Sequence, residues 1–182
     1  MSRFRLAFAV VPNLTPHPNV ASDFDLLKTI PESALKRAVA EMIHEDKIPR
    51  DWGGEQSDLF SSNVSVEKRY MPAAFLFKGP ARFTEMKMSH LGKNGDQIVR
   101  LFAEPARLLV LQHCHNVSSA VRSTMRAFAS RLHDLRYFAI LDGQDTVRLL
   151  SAYKKVAYEF FTLQNARLAA LRLLPCAPER ER

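Results

Sequence analysis

Apolar residues recur along this chain in two rhythms, one helical and one extended. Leu35, Val39, Met42 and Ile43 repeat at helical spacing, which predicts a helix from Thr29 to Asp46. Thr29 followed by Glu32 fits a capping box, and Pro31 falls in the first turn, where its missing N–H costs nothing. Ile48-Pro49 ends that helix and Gly53-Gly54 makes a turn. The runs from Leu59 to Val66 and from Ala73 to Phe77 are short and rich in β-branched and aromatic residues. They predict two strands joined by the charged turn Glu67-Lys68-Arg69.

The alternation continues downstream. Phe83 to Met88 reads as a third strand or an extended flap, and GKNGD (Gly92 to Asp96) as a polar loop. Asp96 or Asn94 would cap a helix over Gln97–Glu104, with Ile98, Leu101 and Phe102 on one face. Leu108 to Leu111 is a continuous apolar run, as expected of a strand covered on both faces. Val117, Val121, Met125, Phe128 and Leu132 predict a helix from Val117 to Leu132, capped by Asn116 or Ser118. Tyr137 to Leu141 is a further buried strand. From Asp145, with Asp145 as its cap and Asp142 as a turn residue, a helical pattern runs to about Leu174, where Pro175 stops it. At the other end, Phe4 to Val11 reads as a strand or packing arm and Pro12 to Pro18 as an extended connector. Strands alternating with helices after an opening hairpin imply an α/β fold: a mixed central sheet flanked by helices, with a long C-terminal helix.

Composition narrows this only a little. At 182 residues the chain suits one domain with its own core. A net charge of +7 favours a polyanionic partner, nucleic acid most often, although basic surfaces are also common in proteins that bind none. The two cysteines, Cys114 and Cys176, are far apart and read as thiols of a reducing cytoplasm. No apolar run is long enough to span a bilayer, and LAFAVV is too short for a signal sequence. The expectation is a cytoplasmic protein with no membrane attachment.

Candidate chemistry gathers around the hairpin. An antiparallel pair returns the chain to where it began, so Asp58, before the first strand, and Lys78, at the end of the second, approach each other. A carboxylate that can hold a hard cation, beside a lysine that can steady an anion, suits phosphodiester hydrolysis. Glu55 stands close to Asp58 in sequence, and Glu45 lies at the edge of the first helix stripe. The plain alternative is turn chemistry before a strand and a lysine at a strand end. Lys93, Asn94, Gln97 and Arg100 cluster at one helix N-terminus, where free N–H groups favour a phosphate; a capped surface helix is the alternative. Arg122 and Arg126 make a basic helix edge that could follow a phosphate backbone, or simply face water. GKNGD lacks the length and trailing hydroxyl of a nucleotide-binding P-loop. His113-Cys114-His115 is too isolated for a zinc site.

This order of elements, with Asp58, Lys78 and the Gln97 helix in it, resembles the restriction-endonuclease-like PD-(D/E)XK nuclease superfamily over roughly residues 29–141. The resemblance implies that Asp58 is the strand aspartate and Lys78 the motif lysine, with Glu45 or Glu55 the upstream acid and Gln97 the helix glutamine. It also implies Mg²⁺ or Mn²⁺ held by Asp58 and Glu55, with Glu45 a further candidate, and DNA as substrate in restriction, repair or defence. The pattern departs at Leu76, two residues before Lys78, where the family carries Asp or Glu. Glu85-Met86-Lys87 satisfies the acidic-X-lysine triplet, but on a run that reads as exposed. The departure leaves an alternative: a catalytically inactive nucleic-acid-binding or structural subunit of a larger complex. So much apolar surface on the C-terminal helix implies packing on the domain or on a second copy.

Overall fold

The computed structural model describes residues 24–49, 55–66, 69–153, 156–163 and 166–173, so the expected elements at Phe4–Val11 and Pro12–Pro18 lie outside it. A four-stranded mixed sheet forms the centre. Strand β1 (Leu59–Val66) pairs antiparallel with β2 (Arg69–Lys78). On its other side β2 lies parallel to β3 (Leu108–His113), which is in turn parallel to β6 (Tyr137–Leu141). Two short strands, β4 (Ser130–Arg131) and β5 (Asp134–Leu135), form a small hairpin just before β6. The α/β class and the mixed sheet flanked by helices follow the sequence pattern.

Alternation along β2 divides the core into two layers. Ala73, Phe75 and Phe77 face one side, with the two phenyl rings stacked at 5.9 Å. There they meet Leu35 and Val39 of α1 (Glu32–Met42) and Val147 and Leu150 of α4 (Gly143–Ala152). Ala74 and Leu76 face the other side, against Ile98 and Leu101 of α2 (Asp96–Ala103) and Val121 and Met125 of α3 (Ser119–Ala129). All six positions of β3 are buried, as its unbroken apolar run requires. Its two polar members, Gln112 and His113, are also buried, and Gln112 donates to Thr146 Oγ1 at 3.1 Å.

Strand β1 contains a bulge. Ser61 pairs with Ala73 and Val64 with Met71, so three steps along β1 match two along β2. The extra residue exposes Ser62 and Asn63, and Asn63 Nδ2 donates to His44 O just beyond α1.

Several expected boundaries shift for local reasons. Helix α1 begins at Glu32 with Pro31 as its N-cap, because Phe24–Thr29 forms a 3-10 turn of its own. The N-cap position thus falls to Pro31 rather than Thr29, and the Glu32 carboxylate bonds to Gly79 N instead. Residues 83–88 form no strand beyond one isolated bridge between Met86 and Val117; 3-10 turns at Pro80–Arg82 and Met88–His90 take up the connection. At α2 the N-cap is Gly95 in the left-handed region rather than Asn94 or Asp96. At α4 the cap is Asp142, whose Oδ1 accepts from Asp145 N at 3.1 Å, reversing the expected roles of the two aspartates.

The C-terminal helix expected to reach Leu174 stops at Ala152. The backbone continues as β7 (Val156–Leu163) antiparallel to β8 (Ala166–Leu173). The run VAYEFFTL combines aromatic and β-branched residues that favour a pleated strand, and spacing alone could not reveal this. A partner contact through one long terminal helix thus has no such helix to use. No helix among the described residues is long and apolar enough to cross a membrane.

Candidate functional site

Asp58 immediately precedes β1 and continues its ladder with a side chain. Its N–H donates to Phe75 O at 2.9 Å, and its Oδ2 accepts from Phe77 N at 2.6 Å. Burial pushes this carboxyl above the ordinary carboxylate range, reinforced by the Glu32 carboxylate. The Phe77 N–H and the Lys78 and Lys36 ammonium groups act against the rise. Lys78 is therefore within electrostatic reach of Asp58, as the hairpin geometry requires.

The backbone that carries Lys78 is held from three directions. His113, its register partner on β3, lies with one ring nitrogen 3.3 Å from Lys78 O and the other 2.9 Å from Thr84 O. Cys114 Sγ donates to the same Lys78 carbonyl at 3.2 Å. Gly79 N donates to Glu32 Oε2 at 2.6 Å. A Cβ on residue 79 would stand 2.6 Å from Glu32 Cβ, so helix and strand end meet only because this residue is glycine. The His113-Cys114-His115 triplet is thereby accounted for in part as packing: His113 and Cys114 are buried, and burial pushes the thiol up to about 12.

Beside Asp58 opens a small cleft of about 70 Å³, lined by Glu55, Gln56, Ser57, Asp58, Leu76, Gln97 and Arg100. Four residues expected to form the site, from before β1 and from α2, meet there: Glu55, Asp58, Gln97 and Arg100. Arg100 Nη1 donates to Glu55 O at 3.2 Å and its Nη2 pairs with Asp96 Oδ2 at 3.1 Å, so one guanidinium joins α2 to the residues before β1. Ser57 Oγ donates to Glu104 Oε1 at 2.5 Å and ties the same segment to the far end of α2.

Five buried side-chain polar atoms among the described residues have no hydrogen-bond partner, and three belong to the opening turns of α2: Asp96 Oδ1, Gln97 Oε1 and Arg100 Nε. Such atoms are uncommon, and two of the three residues, Gln97 and Arg100, line the cleft. Leu76 is 4% exposed, with its side chain on the α2 and α3 face of the sheet. The position where the resembled family has an acid thus forms part of the hydrophobic core.

The remaining expected residues are scattered. Lys78 ends β2 just beyond the cleft lining. Glu45 lies past α1, where its Oε1 accepts from Lys47 N at 3.2 Å, and it is not among the cleft residues. Lys93 and Asn94 lie in the 3-10 turn that leads into α2. On α3, Arg122 donates to Val117 O and pairs with Asp142 Oδ2 at 3.1 Å, while Arg126 is exposed. The sequence reading missed Glu32, which the Gly79 contact brings to the end of β2 within electrostatic reach of Asp58. Its spacing from Thr29 points to a helix cap, and nothing in that spacing marks the long-range contact.

The cleft can chelate a hard cation only modestly. Among the described residues no three His, Cys, Asp or Glu side chains are grouped to hold a metal ion. Two carboxylates (Glu55, Asp58) and two side-chain amides (Gln56, Gln97) are among its lining residues, a set that suits an ion retaining several waters better than one enclosed by protein. Neither a family model, nor a curated protein, nor a solved structure matches this chain.

Proposed function

We propose that the cleft beside Asp58 binds a divalent cation and a phosphodiester of DNA, and that the protein is a metal-dependent nuclease of restriction, repair or defence. The observation that carries this reading is the convergence of Glu55, Asp58, Gln97 and Arg100 on one polar cleft from segments some forty residues apart. Mg²⁺ or Mn²⁺ fits that donor set: Asp58 and Glu55 would hold it, and the otherwise unbonded Gln97 Oε1 is a further oxygen donor. When bound, such an ion supplies polarisation of the scissile phosphate and a lower pKa for the attacking water. Lys78, held rigid through its backbone by His113, Cys114 and β3, orients that water or steadies charge on the phosphate oxygens. Gln97 positions the water or a phosphate oxygen.

A specific observation favours a second reading. Leu76 is buried where the acid would stand, and Asp58 Oδ2 is already engaged by Phe77 N. Both fit a non-catalytic subunit that binds nucleic acid without cutting it.

Supercoiled plasmid and single-stranded DNA, incubated with Mg²⁺, Mn²⁺ or EDTA, separate the two. The nuclease reading expects metal-dependent nicking that disappears in Asp58→Asn and in Lys78→Ala. Cleavage surviving both substitutions would mean that the active site lies elsewhere, with Glu85 and Lys87 tested next. Binding without cleavage by the wild-type protein would establish the non-catalytic reading.

A further inference from the structure

The connection between β2 and α2 starts and ends at the cleft. It leaves at Lys78, two residues beyond the cleft-lining Leu76, and returns at Gln97, which lines the cleft and donates its N–H to Leu91 O. Its apolar members point inward. Met86 and Leu91 are fully buried, and Met86 exchanges backbone hydrogen bonds with Asn116 and Ser118 at 2.8 and 3.1 Å. Phe83 is fixed by the His115 ring, edge-on at 5.1 Å, and by Lys28 Nζ at 4.9 Å from its centre.

Between these anchors the cations point outward. Arg82, Lys87 and Lys93 are exposed, against a single carboxylate, Glu85, in the same stretch. Elsewhere Lys28, Arg100, Arg122, Arg136 and Arg148 each pair with an aspartate. Among the described residues Arg82, Lys87 and Lys93 have no such carboxylate, as is also true of the separate exposed Arg107 and Arg126, but only here do three such cations lie within one short connection. His90 accepts from Lys87 N at its Nδ1, which leaves the proton of the neutral ring on Nε2 as a donor. Desolvation holds the His90 ring below its ordinary pKa, with smaller contributions in the same direction from Arg82, His113 and Lys87.

We infer that the connection from Gly79 to Gly95 is the track along which the phosphate backbone of DNA reaches the cleft, with Arg82, Lys87, His90 and Lys93 as its contacts. The inference rests on reading the cleft as a DNA site. It moves the main electrostatic contact away from the α3 edge, where Arg122 is engaged with Asp142. The apolar anchors fix the backbone that carries these cations before binding, so less ordering is needed when the phosphates arrive.

The test is fluorescence anisotropy of a labelled DNA oligonucleotide in EDTA, where no cleavage occurs, over a range of salt. Each phosphate contact contributes about 0.9 to the slope of log K against log salt for duplex and about 0.7 for single strands. Arg82→Ala with Lys87→Ala should therefore reduce the slope by about 1.4 to 1.8, and Arg82→Glu with Lys87→Glu should weaken binding further. Arg107→Ala, exposed at the opposite end of β3, should leave the slope unchanged. Wild-type binding with an unaltered slope in both double variants would overturn the track and leave the cleft reading standing. A shifted slope without metal-dependent cleavage would establish the track and overturn the nuclease reading. No wild-type binding even at low salt would overturn both.

Discussion

Asp58 is the residue for which structural and chemical roles can be separated most cleanly. In Asp58→Ala the partly buried Phe77 N–H loses its acceptor at 2.6 Å. An unsatisfied backbone donor costs about 1–3 kcal/mol. Taking about 2 kcal/mol, and 2–4 °C per kcal/mol for a chain of this size, the expected fall in Tm is roughly 4–8 °C. In Asp58→Asn the side chain keeps an oxygen that can accept the same bond while shedding the charge that burial opposes. Its Tm at pH 7 should equal or exceed that of the wild type, yet metal-dependent cleavage should be lost.

The pH dependence has a definite sign. Burial raises the folded-state pKa of Asp58 above the ordinary 3.8, so between the two values the native state binds more protons than the unfolded chain. Wild-type stability relative to Asp58→Asn is then fully present below about 3.8, falls as pH rises through the raised value, and is flat above it. Thermal unfolding followed by circular dichroism across this range, for wild type and both variants, measures all of these quantities. The reasoning fails if Asp58→Asn melts as low as Asp58→Ala, since the negative charge itself would then be the stabilising feature. It fails equally if the gap between wild type and Asp58→Asn does not change with pH.

Two other predictions test the frame around the site. Arg136 Nη1 donates to the carbonyls of Phe102, Glu104 and Ala106, closing the end of α2; Arg136→Ala should cost roughly 2 kcal/mol in urea unfolding, and a loss below about 0.5 kcal/mol would contradict that role. In a Cys176→Ser background the remaining thiol, Cys114, should resist a disulfide reagent at pH 8 until the protein unfolds, because burial holds it at about 12; reaction at the rate of a free thiol would be inconsistent with its packing against Lys78 O.

Much of the sheet was legible because its signals are local. The first strand and Tyr137–Leu141 match in both bounds, and the core of β2 in Ala73–Phe77, since β-rich runs bounded by turn residues admit few alternatives. That Lys78 lies within electrostatic reach of Asp58 is a consequence of hairpin geometry. What spacing could not reveal were contacts across layers: Glu32 reaching Gly79, Arg100 reaching Glu55, and Leu76 turning into the α2 and α3 core. The C-terminal misreading has a different cause. Val156, Phe160 and Leu163 fit a helical period, yet the run forms a strand, as its aromatic and β-branched content favours. Glu45 was drawn towards the site by its place on a helical wheel, but α1 ends at Met42, three residues before it.

The bulge in β1 has a consequence for how copies of this chain behave in a crowded solution. Among the described residues β1 is an outer strand of the sheet, where unpaired backbone groups could template a neighbour's strand. The extra residue between Ser61 and Val64 breaks the even spacing of those groups, and exposed Ser62 and Asn63 occupy the break. Deleting either would restore an uninterrupted ladder and turn a protected border into an adhesive one. The same irregularity that gives Asn63 its bond to His44 therefore also guards against fibre-like association.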